Sequence, residues 1–233
     1  MRLNVIVPCY NPAKDGAHVI AQHFAGFQQS VDGLLSDVGL IVVNDGSNNS
    51  HAEAFFAGLV ACVPQVQLIS YTENKGKGFA LRQGVAQSNA DLHLITDADF
   101  PYTLESMRKV VEQLLEKGGV IAGNRNTAYY SNVPPFRRRL SKVFRWMLRR
   151  IIRQPIDDSQ CGLKAFDTNG KKIFLETTIN RFLFDLEFLM LSHQRVTITP
   201  VQVEPRKGII FSTISWKVLA VEAGNLLWLL FRR

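Results

Sequence analysis

The sequence of 233 residues predicts an α/β fold, a mostly parallel sheet flanked by helices. Three observations carry this. Short apolar runs alternate with longer stretches of helical periodicity. Each run ends in a polar or glycine-bearing segment. The run Leu92-His93-Leu94-Ile95 leads into Asp97-Ala98-Asp99, two carboxylates one residue apart, and Pro101 stops further strand extension. Carboxylates at the carboxyl end of a parallel strand sit at the crevice where open α/β sheets bind ligands. Their hard oxygens suit Mg2+ or Mn2+ shared with a substrate diphosphate, although turn and N-cap duty also explains the pair taken alone.

Leu3 to Val7 reads as the first strand, and Pro8-Cys9-Tyr10-Asn11-Pro12 as the loop that follows it. A helix is expected over Ala17 to Leu35. Leu40-Ile41-Val42-Val43 is a continuous apolar run, as a strand buried on both faces should be, and Asn44-Asp45-Gly46-Ser47 is its turn. Residues 51–61 read as helical and Val66 to Tyr71 as the third strand. Asn74-Lys75-Gly76-Lys77-Gly78 opens a helix that runs to about Ser88. After the Asp97 strand, a helix is expected from about Leu104 to Lys117. Val120 to Gly123 is the next strand, ending at Asn124-Arg125. Strands alternating with helices at this spacing bring their carboxyl ends to one edge, so four polar loops should converge there.

Composition narrows the class. Cys9, Cys62 and Cys161 are odd in number and form no CxxC pair, which argues against a disulfide framework and fits a reducing compartment. The N-terminal segment is broken too soon by Pro8 to read as a signal peptide. No apolar run reaches the ~18 residues that a spanning helix needs. The five histidines show no metal-ligand spacing. The Lys75 to Gly78 segment lacks the ending of a P-loop, and no Gly-X-Gly-X-X-Gly follows the first strand, which excludes the usual dinucleotide fingerprint.

The net charge of +7 is concentrated in one place. Residues 137–153 hold eight Lys or Arg and no acid, and subtracting those eight leaves −1 for the rest of the chain. At helical period, Leu140, Val143, Phe144, Met147, Leu148, Ile151 and Ile152 share one face and the arginines mostly the other, with Trp146 near the boundary. That pattern, over about 136–153, fits a helix lying in a membrane interface, where anionic headgroups contribute ~1 kcal/mol per basic residue. Packing of the apolar face on the sheet is the alternative. Nucleic acid is not expected, since no aromatic platform or known binding module accompanies the arginines. In the tail, Leu226 to Phe231 with Trp216, Trp228, Arg232 and Arg233 reads as an interfacial helix or one docked on the core.

Val7 to Asn11, Asn44 to Ser47, Asn74 to Gly78, Asp97 to Asp99 and Gly123 to Arg125 resemble, in order and spacing, the family 2 glycosyltransferases of GT-A fold. Asp158-Ser159-Gln160-Cys161-Gly162-Leu163-Lys164-Ala165-Phe166 and Phe184-Asp185-Leu186-Glu187 resemble the polyprenyl-phosphate sugar synthases among them, on the side of the dolichyl-phosphate β-glucosyltransferases. The resemblance spans roughly residues 3–190. It implies a GT-A domain over 1–211 that includes the basic helix, with a C-terminal amphipathic segment over 212–233. It implies transfer of a hexose, with inversion, from a nucleotide sugar to a polyprenyl phosphate, with UDP-glucose favoured over GDP-mannose. It further implies a peripheral location on the cytoplasmic face of an anionic membrane, and leaves self-association open.

By position, the resemblance gives Pro8, Tyr10, Asn11 and Asp45 to the base and ribose, and Lys77 to the neighbourhood of the nucleotide. Asp97 goes to the ribose or the metal, Asp99 to direct ligation of Mg2+ or Mn2+, and Arg125 to a phosphate. Arg137 and Ser141, four apart and so on one helix face, go to the acceptor phosphate. Asp158, Asp185 and Glu187 are the carboxylates that would orient the sugar or act as base, Asp158 first. Two departures stand out. Pro12 replaces a Glu that would bond the ribose, and Pro101 replaces a Gln that in some relatives adds a metal ligand. Two other functions fit parts of the sequence. A sugar nucleotidyltransferase would need a Gly-rich basic loop after the first strand, which Pro8 to Pro12 is not. A non-catalytic nucleotide-sugar-binding or membrane-scaffold module is compatible with both prolines.

Overall fold

The computed structural model describes residues 1–125, 158, 161–206, 222, 224–226 and 228. The basic stretch 136–153, with Arg137 and Ser141, and most of the tail lie outside them. The chain runs β1 (Arg2–Cys9), α1 (Gly16–Ser30), β2 (Asp37–Asp45), α2 (Ala52–Cys62), β3 (Gln67–Tyr71), α3 (Lys77–Gln87), β4 (Leu92–Ile95), α4 (Leu104–Lys117) and β5 (Val120–Arg125). It continues through β6 (Lys164–Phe166), α5 (Thr168–Leu175), α6 (Phe184–Ser192) and β7 (Ile198–Val203).

The seven strands form one sheet in the order β3-β2-β1-β4-β6-β5-β7. β1 lies parallel to β2 and β4, β2 to β3, and β5 to β7. β6 alone runs antiparallel, between β4 and β5. The mixed sheet bears out the expected fold class, and β6 is an element that the apolar pattern did not announce. Three residues are too few to show alternation, and one of them is a lysine.

Alternation along the central strands sorts the core into two layers. Val5, Val7, Leu40 and Val42 pack with α1, α2 and α4 on one face. Ile6, Ile41 and Val43 pack with α3, α5 and α6 on the other. The helix expected to reach Leu35 stops at Ser30, because Asp32 and the left-handed Gly33 (φ 76°) turn the chain toward β2. Thr103 caps α4 by accepting from the Ser106 N–H at 3.2 Å. Asp167 caps α5, accepting from the N–H groups of Asn169 and Gly170 at 2.9 Å, and its other oxygen takes the N–H of Gly119 at 2.8 Å. One carboxylate thus ties the start of α5 to the entry of β5.

Of the tail, Leu226 packs against the second core layer, while Trp228 stays partly exposed. Glu222 accepts from the N–H groups of Phe182 and Leu183 at 3.2 and 3.0 Å, just ahead of α6, where a carboxylate also suits the helix dipole. These residues favour the docked alternative for this part of the tail. No described helix is long and apolar enough to cross a membrane.

His93 on β4 is fully buried, stacks on Phe166 at 5.4 Å, and neither ring nitrogen has a well-aligned hydrogen-bond partner. Burial, helped by the charge of Lys171, lowers its pKa to about 4. The folded protein therefore keeps this imidazole neutral, while the unfolded chain protonates it below pH ~6.5. Its share of stability is fully present above pH ~6.5 and is lost as pH falls toward the folded value of about 4. Urea unfolding between pH 7 and pH 4 should show a loss of about 3 kcal/mol in the wild type beyond that in His93→Phe. Identical slopes would contradict this reading.

Candidate functional site

The carboxyl ends of β1, β2, β3, β4 and β5 meet at one edge of the sheet, as parallel strands dictate. After β1, Asn11 adopts a left-handed conformation (φ 48°), which Asn tolerates. Its N–H donates to Ser47 Oγ at 3.0 Å, and its side-chain oxygen accepts from the N–H groups of Asn48 and Asn49 at 2.9 and 3.2 Å. Asn11 therefore joins the β1 loop to the β2 loop. Tyr10 beside it is half exposed, and Pro8 is the penultimate residue of β1.

Asp45 is buried and saturated. Its oxygens accept from the Tyr71 hydroxyl at 2.7 Å, Asn74 Nδ2 at 2.9 Å, and the N–H groups of Lys75 and Gly76 at 2.8 and 2.9 Å. Four donors fill the acceptor sites of one carboxylate. In this arrangement Asp45 shapes the loop after β3 and does not offer a lone pair to a ribose. Gly46 (φ 67°) is required for the same contact, since a Cβ there would lie 2.3 Å from the Glu73 backbone.

The glycines of Asn74 to Gly78 serve a close approach. A Cβ on Gly76 would stand 2.5 Å from the carbonyl oxygen of Asn180, and one on Gly78 2.5 Å from that of Ile179. Segment 177–184 lies directly on the start of α3, and Arg82 donates to the Ile179 carbonyl at 2.8 Å. Glu187 on α6 holds that segment from behind. It accepts from the Thr178 and Ile179 N–H groups at 2.8 Å and from the Thr178 hydroxyl at 2.9 Å. Glu187 is thus directed at a backbone turn and not at Asp97 and Asp99.

Lys77, by contrast, does reach the acidic pair. Its Nζ lies 2.5 Å from Asp97 Oδ1. Burial alone would lower the lysine pKa, but Asp97 and Asp185 together outweigh it and leave the pKa raised. Partial desolvation and the charge of Asp97 push the Asp99 carboxyl above its ordinary value. The turn that carries both carboxylates is strained. Phe100 is fully buried in a left-handed conformation (φ 45°), which is rare for a bulky residue. Its N–H donates to the Asp97 carbonyl at 3.0 Å. Arg206, just after β7, clamps the same turn from outside. Its Nε donates to the Phe100 carbonyl at 2.6 Å and its Nη2 to the Asp99 carbonyl at 2.5 Å.

Next to the pair, Gly162 leaves room for Asp97, since a Cβ there would lie 2.5 Å from Asp97 Oδ2. Tyr102 fixes this glycine by accepting its N–H at 3.1 Å. Arg125 meets Asp158 in a two-pronged pair, Nε to Oδ2 at 2.6 Å and Nη2 to Oδ1 at 2.7 Å. Burial opposes the Arg125 charge, yet the hydrogen bond and charge of Asp158 hold its pKa well above the ordinary value. Asp185 is nearly fully buried, and its Oδ1 sits 2.5 Å from Lys164 Nζ. Burial raises the Asp185 carboxyl, while Lys164 and Lys77 oppose that rise.

The structure therefore brings Lys77, Asp97, Asp99, Arg125, Asp158 and Asp185 to one edge, with Tyr10 and Asn11 on the loops that frame it. Arg206, Tyr102 and the packing role of Gly162 are additions. Nothing in their local sequence marks them, because each acts through contacts with distant residues. Among the described residues, no three or more His, Cys, Asp or Glu side chains are grouped so as to hold a metal ion by themselves. Two carboxylates fit a divalent ion that takes the rest of its oxygen shell from a diphosphate and water, which is how Mg2+ is usually held. Glu187→Gln should lower unfolding stability by about 1–3 kcal/mol in urea titration and leave UDP affinity within about threefold of wild type. Unchanged stability would contradict the structural role given to Glu187.

Comparison with known proteins is consistent with this geometry. The family described as "Glycosyl transferase family 2" matches residues 4–177. A dolichyl-phosphate beta-glucosyltransferase of Trichomonas vaginalis is 28% identical over 210 residues, 85% of this chain and 62% of that protein. One of Dictyostelium discoideum is 28% identical over 214 residues, 86% of this chain and 64% of that protein. The chain thus spans less than two thirds of the length of these curated relatives. Among solved structures, a mannosyltransferase of Pyrobaculum calidifontis in complex with GDP-Man and Mn2+ superposes with a TM-score of 0.55 at 18% identity, over 88% of this chain and 58% of that one. That likeness is one of fold.

Proposed function

Because the chain belongs to glycosyl transferase family 2, we propose that it moves a hexose from a nucleotide sugar to a polyprenyl phosphate at the cytoplasmic face of a membrane. UDP-glucose is the favoured donor and GDP-mannose the next. The observation that carries the reading is the cluster of Asp97, Asp99 and Lys77 at the carboxyl edge of the sheet. The names of the relatives, dolichyl-phosphate beta-glucosyltransferases, support the lipid acceptor and the sugar.

The chemistry follows from which carboxylates already have partners. Asp158 is paired with Arg125, Asp185 with Lys164, and Glu187 with the 178–179 turn. These were the three candidates for a base, and each is engaged elsewhere. The proposed acceptor needs none, since a phosphate monoester has a second pKa of ~6 and arrives at neutral pH as an anionic oxygen. The task left to the protein is to align that oxygen with C1 of the sugar and to balance the charge of the departing diphosphate. One displacement inverts the anomeric centre, so an α-linked donor gives a β-linked product.

Asp97 and Asp99 would hold Mg2+ or Mn2+, which supplies charge stabilisation for the leaving diphosphate. Lys77 adds a fixed positive charge on the same side. Tyr10 offers a ring face to the base, with Asn11 and Pro8 holding its loop. Asp45 serves the nucleotide indirectly, by fixing the loop that carries Lys77. Arg137 and Ser141 are the proposed contacts for the acceptor phosphate, and the basic stretch around them the contact with anionic lipid.

The test is transfer of radiolabel from UDP-glucose or GDP-mannose to a polyprenyl phosphate in detergent. Label should enter the lipid only with Mg2+ or Mn2+ present, and Asp99→Ala should lower kcat/KM by roughly 10³-fold. Full transfer by Asp99→Ala would remove the cation role. Nucleotide-sugar binding with no transfer to lipid would favour a non-catalytic binding module.

A further inference from the structure

Four side chains at the site alternate in charge across its buried edge. Lys164 is fully buried, and its Nζ donates to Asp185 Oδ1 at 2.5 Å and to the Cys161 carbonyl at 2.7 Å. Asp185 in turn exerts its charge on Lys77. Lys77 Nζ lies 5.9 Å from the ring centre of Phe184, the residue before Asp185, and 2.5 Å from Asp97 Oδ1. Gly162, in the chain between Cys161 and Lys164, is the point where these groups crowd together. A Cβ there would meet Asp97 Oδ2 at 2.5 Å and Lys77 Nζ at 3.5 Å.

Stability alone does not account for the buried Lys164–Asp185 pair. Apolar residues of similar volume usually fill such a place at no loss, and removing one member leaves a buried charge without a partner. Placement explains the pair better. Its acidic member directly follows Phe184, whose ring centre lies 5.9 Å from Lys77 Nζ. We propose that Asp185 and Lys164 are positioning residues of the divalent-cation site: Asp185 shares Lys77 with Asp97, and Lys164 holds Asp185 in place. The inference rests on the cation role given to Asp97 and Asp99 above.

The physical reason is competition for one carboxylate. Asp97 cannot give full charge to a cation while it alone neutralises Lys77. With Asp185 present, Lys77 keeps a counter-charge when Asp97 turns to the cation. Without it, the cation must displace a complete ion pair in a poorly solvated place, where such a pair is stronger than in water. Neither Asp185 nor Lys164 needs to touch substrate.

The test measures Mn2+ binding by electron paramagnetic resonance, with saturating UDP, in a double-mutant cycle. Lys164→Met with Asp185→Asn removes both buried charges together, so the fold is not left with a lone ion. This pair of changes should weaken Mn2+ binding roughly tenfold. Added to Lys77→Met, the same pair should change Mn2+ binding by less than about twofold, because no lysine remains to compete. A merely structural role would give the same loss in both backgrounds and would overturn the proposal, as would wild-type Mn2+ affinity in Lys164→Met/Asp185→Asn. If that variant does not fold, Lys164→Gln with Asp185→Asn takes its place in the cycle: the two amides can hydrogen-bond to each other without either charge, and the same two results decide. Absence of Mn2+ binding by the wild type with UDP would sink the cation role itself, a failure distinct from that of the positioning inference.

Discussion

The ion pair between Lys77 and Asp97 is the contact on which the rest of this site depends. It joins two loops that sequence separates by twenty residues, the start of α3 and the turn after β4. It exists because β3, β2, β1 and β4 all run in one direction, so the segments that follow β3 and β4 open on the same edge of the sheet. A lysine and a carboxylate in that place neutralise each other, and the charge of Asp97 offsets the burial of the ammonium. The second carboxylate, Asp99, is left on the open side. That imbalance, one acid more than the lysine can satisfy, is what suits the edge to the cation and anionic substrate proposed for it.

Much of the surrounding chemistry serves to hold loops still. Asp45, Asn11 and Glu187 each accept two or more backbone N–H groups from loops that no regular element supports. Buried backbone donors need partners, and a side-chain oxygen supplies them where no strand neighbour can. Arg206 does the converse, donating to the carbonyls of Asp99 and Phe100. The strained Phe100 persists because the turn is fixed from both sides. Residues that read as ligands in sequence thus divide into those facing the open edge and those that keep the edge in shape.

The first five strands and four helices were legible in the sequence, because Leu40 to Val43, Leu92 to Ile95 and their like are apolar runs with distinct turn chemistry after each. The two acids of the fourth loop were legible for the same reason. β6 was not, since a three-residue strand has no periodicity and Lys164 reads as exposed. Its ammonium is buried only because Asp185, twenty-one residues later, arrives beside it. Asp45 and Glu187 were read as ligand-facing because a motif gives residue type and order but not where hydrogen-bond donors will fall. The glycines at 76 and 78 read in sequence as the opening of a helix, and what requires them is segment 179–184 lying directly against them. Such pairings are long-range, and local pattern cannot contain them.

The central claim, that the turn after β4 collects a divalent cation together with a diphosphate, is tested most directly by anomalous diffraction. Crystals of the protein grown with Mn2+ and UDP would be measured at the manganese edge. The account predicts one strong peak within coordination distance, about 2.0–2.3 Å, of an Asp99 carboxylate oxygen, with Asp97 and the diphosphate on its other sides. A manganese peak bound away from Asp97 and Asp99, or ordered UDP at this edge with no metal beside it, would contradict it.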